Sequence, residues 1–264
     1  MTSTGVGASA SALPADTLGS GPRLVLAHGF TQTAGAWGPF LPALARDHQV
    51  VAVDLPGHGR AGALRADLAA TAELLGATGG TADYLGYSLG GRVALHLALA
   101  RPELVRRLVL VGATAGIDDD GGRLARRQAD HALADALEQD AAADPARAVD
   151  RFLDRWLAAP LLATLGPGDA ALGARRANSA SGLASSLRLC GTGTQAPLWD
   201  RLPALAMPVL VVAGVLDVKF AALGRRMARS IGANATLALV PGAGHACHLE
   251  RPAATARIVQ AFLA

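Results

Sequence analysis

Gly86-Tyr87-Ser88-Leu89-Gly90-Gly91 follows a short strand-like run at 82–85 and opens a stretch, 89–100, whose apolar residues recur at three- and four-residue spacing. A strand that turns into a helix within two residues has no room for side chains around the turn. Glycines two before and two after Ser88 therefore read as the small residues that let a serine stand at the tip. The hydroxyl is then held at the carboxyl end of a strand. Leu89 offers a backbone N–H in the first turn of the following helix, where unpaired donors and the helix dipole favour negative charge.

Outward from this turn the chain alternates. Strand-like runs at 23–27, 49–53, 82–85, 107–111, 209–213 and 235–240 are separated by helical patterns at 36–46, 64–77, 89–100, 219–231 and 252–263. Strands alternating with helices predict an α/β fold with a mostly parallel, doubly wound sheet. The rhythm breaks at 114–207, where helical periodicity appears at 124–140, 145–158 and 169–189, with Gly166-Pro167-Gly168 as a break, but no strand. This interval reads as a helical lid inserted over the carboxyl edge of the sheet, where doubly wound folds bind ligands. The expected organisation is a flexible tail at 1–22, a core at 23–113 and 208–264, and the lid at 114–207.

A serine hydroxyl becomes a useful base or nucleophile only beside a histidine that takes its proton and an acid that orients the histidine. Two such groups follow late strands. Asp217 comes after 209–213 through Gly214-Val215-Leu216, and His245 comes after 235–240 through Pro241-Gly242-Ala243-Gly244. Both reach the sheet edge that carries Ser88. Phe30, in His28-Gly29-Phe30 after the first strand, is the candidate second oxyanion donor. Asp54-Leu55-Pro56-Gly57-His58-Gly59 reads as a structural tight turn.

Other residues carry less signal. Arg92 lies one helical turn after Ser88, so it is either a ligand for a substrate anion or a salt bridge anchoring the lid. Lys219 stands alone as a lysine among 24 basic residues, two positions after the acid, so it is either a substrate-binding residue that needs a compact ammonium or a first-turn surface lysine. His248 either lines the pocket or covers the start of the last helix. His28 reads as a strand-end hydrogen-bonding residue, and His48, His58, His96 and His131 as packed or solvated.

Composition excludes several classes. With 51% hydrophobic and 17% charged residues the chain can build a core, and no apolar run approaches the length of a membrane span. A net charge of +3 is spread without a basic run, which argues against nucleic acid. The N-terminal stretch lacks a secretory pattern, and two cysteines, Cys190 and Cys247, offer neither a disulfide framework nor a metal-ligand spacing. The expectation is a cytoplasmic monomer or homodimer that needs no metal or organic cofactor. A non-catalytic receptor is the rival class, and the ordered Ser, Asp, His set argues against it.

These residues, with the HGF and DLPGHG segments, resemble the α/β-hydrolase superfamily from Arg23 to Ala264. Within it, Gly86 to Arg92, then Arg123, Arg126, Arg127 and Asp130, then Arg176 and Asn178, then Asp217-Val218-Lys219-Phe220 resemble the MenH family, the 2-succinyl-6-hydroxy-2,4-cyclohexadiene-1-carboxylate synthases of menaquinone biosynthesis. The resemblance implies a lyase that eliminates pyruvate from a cyclohexene tricarboxylate with the serine as base. It implies Arg92, Arg126 and Arg176 as carboxylate ligands, Tyr87 and Trp156 as pocket walls, and Phe30 and Leu89 as oxyanion donors. The alternative implied is a carboxylesterase or carbon–carbon bond hydrolase acting on a small carbonyl substrate.

Overall fold

In the computed structural model, which describes residues 12–166, 168 and 171–264, seven strands form one sheet. They are β1 (Ala15–Leu18), β2 (Arg23–Ala27), β3 (Gln49–Val53), β4 (Ala82–Tyr87), β5 (Val105–Val111), β6 (Val209–Gly214) and β7 (Ala235–Val240), in the order β1-β3-β2-β4-β5-β6-β7. All neighbours are parallel except β1, which pairs antiparallel with β3. The interior strands are buried on both faces, which is why they read as continuous apolar runs.

Among the described residues ten α-helices accompany the sheet: α1 (Phe40–Leu44), α2 (Leu68–Gly79), α3 (Leu89–Ala100), α4 (Asp120–Ala143), α5 (Ala148–Leu157), α6 (Leu172–Arg175), α7 (Ala180–Cys190), α8 (Val218–Ile231), α9 (Cys247–Glu250) and α10 (Pro252–Leu263). Alternation along each strand divides the core. Val25, Val51, Leu108 and Val211 meet Leu75, Leu95 and Met227 from α2, α3 and α8. Leu24, Leu26, Val109 and Leu210 meet Phe40, Leu249 and Val259 from α1, α9 and α10. A separate cluster of Leu137, Phe152, Leu183 and Leu187 holds the helical insertion α4–α7 together, and Phe30 packs against both it and the core.

The structure corrects the sequence reading in four places. Of the expected tail, residues 1–11 lie outside the described residues, but Ala15–Leu18 is an edge strand rather than a tail. The helix expected over 36–46 is confined to Phe40–Leu44, because Gly38 takes a positive φ of 52° and Pro39 follows it. The strand at 107–111 begins at Val105 and that at 82–85 runs to Tyr87. The single helix expected over 169–189 is broken into α6 and α7. Asn178 causes the break: its amide donates to Thr31 O (2.7 Å) and Arg175 O (2.8 Å) and its oxygen accepts from Gly59 N–H (2.9 Å), while Ser179 caps α7. Of the glycine–proline break, Pro167 lies outside the described residues, as do Asp169 and Ala170.

Candidate active site

Ser88 joins β4 to α3 in a conformation L residues rarely adopt, φ 50° and ψ −105°. The turn is held by Ser88 N–H on Val111 O (2.8 Å) and Gly90 N–H on His28 O (3.0 Å). A Cβ at Gly86 would lie 2.2 Å from Gly90 O, and one at Gly90 would lie 1.9 Å from Ala27 O. Only glycine fits either position.

The loops after β6 and β7 deliver the other two groups to the same edge. His245 Nε2 lies 3.2 Å from Ser88 Oγ, and His245 Nδ1 lies 2.8 Å from Asp217 Oδ2. A ring protonated on Nδ1 satisfies both contacts: Nδ1–H donates to the carboxylate and Nε2 accepts from the hydroxyl. The second oxygen of Asp217 accepts from Phe220 N–H (3.1 Å), capping α8 and holding the carboxylate in place. Phe220 and Tyr87 sandwich the imidazole, with ring centroids at 4.4 and 5.4 Å, and leave it 3% exposed.

Phe30 and Leu89 border the cavity into which Ser88 opens. Among the described residues no hydrogen bond engages the N–H of Phe30 or of Leu89. The loop carrying Phe30 is fixed from behind. His28 Nδ1–H donates to Gly29 O (2.8 Å) while its Nε2 accepts from Leu55 N–H (3.0 Å), and His58 accepts from Thr31 N–H (3.3 Å). Both imidazoles are fully buried and neutral. Burial lowers the pKa of His28 to about 4 and that of His58 to about 3.

The cavity holds about 840 Å³ between the sheet edge and the insertion. Its walls include the apolar faces of Trp156, Leu161, Leu187 and Leu223, and three cationic side chains expected from sequence, Arg92, Arg126 and Lys219. Arg92 is 7% exposed, and burial lowers its pKa to about 10. Its guanidinium donates to Cys190 O (2.7 Å) and Gln195 Oε1 (3.4 Å), both neutral acceptors of the insertion. Among the described residues it forms no salt bridge, so the anchoring ion pair is not what the structure contains. Arg126 pairs with buried Asp130 at 2.9 Å.

Two expected wall residues are elsewhere. Tyr87 is buried beneath the site between His245 and His248 rather than on the cavity wall. Its neighbour Ser88 takes the tip of the turn, and alternation along β4 sends the tyrosine to the sheet face. Arg176 is exposed and paired with Asp150 at 2.7 Å on the outer surface. Its neighbour Arg175 points inward instead and donates to Thr31 Oγ1, because the α6–α7 break rotates one arginine in and the other out. His248 packs among Trp37, Phe40 and Tyr87 rather than on the cavity, with its pKa lowered to about 3 by burial. Sequence reasoning missed Gln195, which lies in an insertion segment with neither periodicity nor motif. Among the described residues no group of three or more potential ligands is placed to hold a metal ion.

The chain is similar to known proteins over most of its length. A profile of the alpha/beta hydrolase family matches residues 24–258. A 2-succinyl-6-hydroxy-2,4-cyclohexadiene-1-carboxylate synthase of Klebsiella pneumoniae is 32% identical over 254 residues, covering 92% of this chain and 94% of that protein. A pimeloyl-[acyl-carrier protein] methyl ester esterase of Xanthomonas campestris is 34% identical over 265 residues, covering 94% and 98%. The solved structure of MenH from S. aureus superposes with a TM-score of 0.83 at 26% identity, covering 94% of this chain and 97% of that one.

Proposed function

The chain belongs to the alpha/beta hydrolase family, and on that premise we propose that it is a cytoplasmic MenH-like lyase that eliminates pyruvate from a cyclohexene tricarboxylate in menaquinone biosynthesis. The observation that carries this reading is Arg92, a buried guanidinium that shares the cavity with Ser88 and bonds neutral acceptors alone. Asp130, the carboxylate that acts on Arg92 through space, is itself paired with Arg126, so burial of the Arg92 guanidinium is only partly compensated until a ligand supplies charge, and a planar guanidinium matches a carboxylate bidentately. Arg126 and Lys219 on the same cavity suit a substrate with more than one carboxylate.

In this mechanism Asp217 fixes the Nδ1–H tautomer, so His245 Nε2 accepts the Ser88 proton. Ser88 Oγ then takes a proton from a ring carbon of the substrate. The electron pair of that C–H bond becomes a ring double bond, the bond to the pyruvyl substituent breaks, and pyruvate leaves as its enolate, taking up the proton held on His245. Negative charge that develops on a substrate oxygen is met by the free N–H groups of Phe30 and Leu89, donors that need no reorganisation during the reaction. Trp156 supplies an apolar wall for the ring.

Hydrolysis of a small ester or carbon–carbon bond is the second reading. The same Ser88–His245 contact and paired N–H groups suit acyl transfer, and the Xanthomonas campestris esterase is as similar as the synthase. Release of pyruvate from the tricarboxylate, coupled to lactate dehydrogenase and lost in Ser88→Ala, supports the lyase. Fast turnover of aryl esters without any pyruvate release would replace it with the esterase.

A further inference from the structure

The residues on either side of His245 share one partner. Gly244 N–H donates to Glu250 Oε2 (2.6 Å) and Ala246 N–H donates to Glu250 Oε1 (3.0 Å), so a single carboxylate grips the peptide groups flanking the imidazole. The grip is reciprocal, because Glu250 N–H donates to Ala246 O at 3.0 Å. This resembles the two-way bonding that secures a helix start, here wrapped around one residue.

Among the described residues no other side chain accepts a hydrogen bond from the N–H of Gly244 or of Ala246. Glu250 is 7% exposed, and no salt bridge reaches its carboxylate among the described residues. A buried carboxylate of that kind persists where its hydrogen bonds serve a purpose, since its desolvation is costly. The loop it holds is also crowded. A Cβ at Gly244 would lie 2.0 Å from Thr164 Oγ1 of the insertion, and a Cβ at Gly214 would lie 2.1 Å from Gly244 O. The backbone before His245 is thus pressed from the insertion and from β6, and Glu250 is the group that fixes it from the third side.

We infer that Glu250 is a positioning residue that sets His245 Nε2 at hydrogen-bonding distance from Ser88 Oγ by clamping both adjacent N–H groups. The inference rests on the reading of Ser88 and His245 as the reacting pair, and on nothing about substrate identity. Displacement of a catalytic group by about 1 Å can cost on the order of a hundredfold in rate, so a loosened clamp lowers turnover and leaves substrate binding at Arg92 untouched.

Glu250→Gln keeps the shape and one acceptor but turns a donor toward one of the two N–H groups. Glu250→Ala removes both acceptors. Melting temperature, the rate of Ser88 labelling by a fluorophosphonate, and kcat and KM for pyruvate release are read for each. The expected result is a folded Glu250→Gln with labelling rate and kcat at least tenfold below the unsubstituted protein, KM within about twofold, and a larger loss in Glu250→Ala. Labelling and kcat unchanged in a folded Glu250→Gln would overturn the clamp alone. Labelling of the unsubstituted protein no faster than that of Ser88→Ala would instead overturn the reading of the reacting pair.

Discussion

Replacing Arg92 by Met separates function from stability, because the structure assigns the two opposite signs. In function, the guanidinium is the buried cation of the cavity, and losing a charge-assisted hydrogen bond to a carboxylate costs about 1.5–3 kcal/mol. At about 1.4 kcal/mol per tenfold, kcat/KM for an anionic substrate falls about 10- to 150-fold. In stability, burial lowers the Arg92 pKa from 12.5 to about 10. That difference corresponds to roughly 3 kcal/mol against the charged form, felt throughout the neutral pH range because the group is protonated there both folded and unfolded. Methionine removes that penalty and fills similar space, but orphans Cys190 O and, across a long contact of 3.4 Å, Gln195 Oε1, at about 1–3 kcal/mol together. The balance lies between about zero and 2 kcal/mol in favour of the variant. Steady-state pyruvate release and thermal unfolding measure the two terms, and a neutral aryl ester serves as a control substrate whose turnover should be unchanged. Unchanged kcat/KM for the tricarboxylate, or a fall in Tm of several degrees with proportional loss on both substrates, would refute the reasoning and make Arg92 a strut between α3 and the insertion.

Four other outcomes follow from the same geometry. Asp217→Asn can still cap Phe220 N–H but no longer holds the Nδ1–H tautomer, so kcat should fall by about 10³ to 10⁴ with Tm nearly unchanged, read by kinetics and calorimetry. Gly90→Ala places a Cβ against the Ala27 carbonyl, and the protein should fail to accumulate in soluble form or lose its cooperative melt. Arg176→Ala removes an exposed pair with Asp150, and kcat/KM should stay within about twofold. Acid stability draws on His28, His58, His96 and His248, whose folded pKa values of about 4, 3, 4 and 3 lie below 6.5. The unfolded chain binds more protons in that window, so their contribution is intact above pH 6.5 and drains as pH falls toward 4, by up to about 5 kcal/mol per pH unit together. His248→Phe, set among Trp37, Phe40 and Tyr87, should flatten the fall of Tm with pH by about a quarter; an unaltered slope would count against this assignment.

Some of the site was legible because its constraints are local. The glycines around Ser88 answer to sterics within five residues, and the loops carrying Asp217 and His245 directly follow strands that alternation exposes. Phe30 and Leu89 came from the same kind of reading, from backbone position rather than side chain, and both border the cavity with Ser88. The register of the insertion was not legible. Arg175 and Arg176 are adjacent and alike in sequence, and the choice between them depends on Asn178 reaching Thr31 O and Gly59 N–H from more than a hundred residues away. The edge strand Ala15–Leu18 was missed for a similar reason: a half-exposed segment of mixed polarity becomes a strand when β3 presents free ladder groups to it.

The sequence by itself determined the parallel sheet, the strand-to-helix turn at Ser88 and the edge where three distant side chains meet, because periodicity and steric demand act over a few residues. Tertiary structure alone decided which cations face the cavity and that Arg92 bonds neutral partners. Those outcomes depend on how far polar atoms from separate elements lie from one another, and only packing of the insertion against the core fixes such distances.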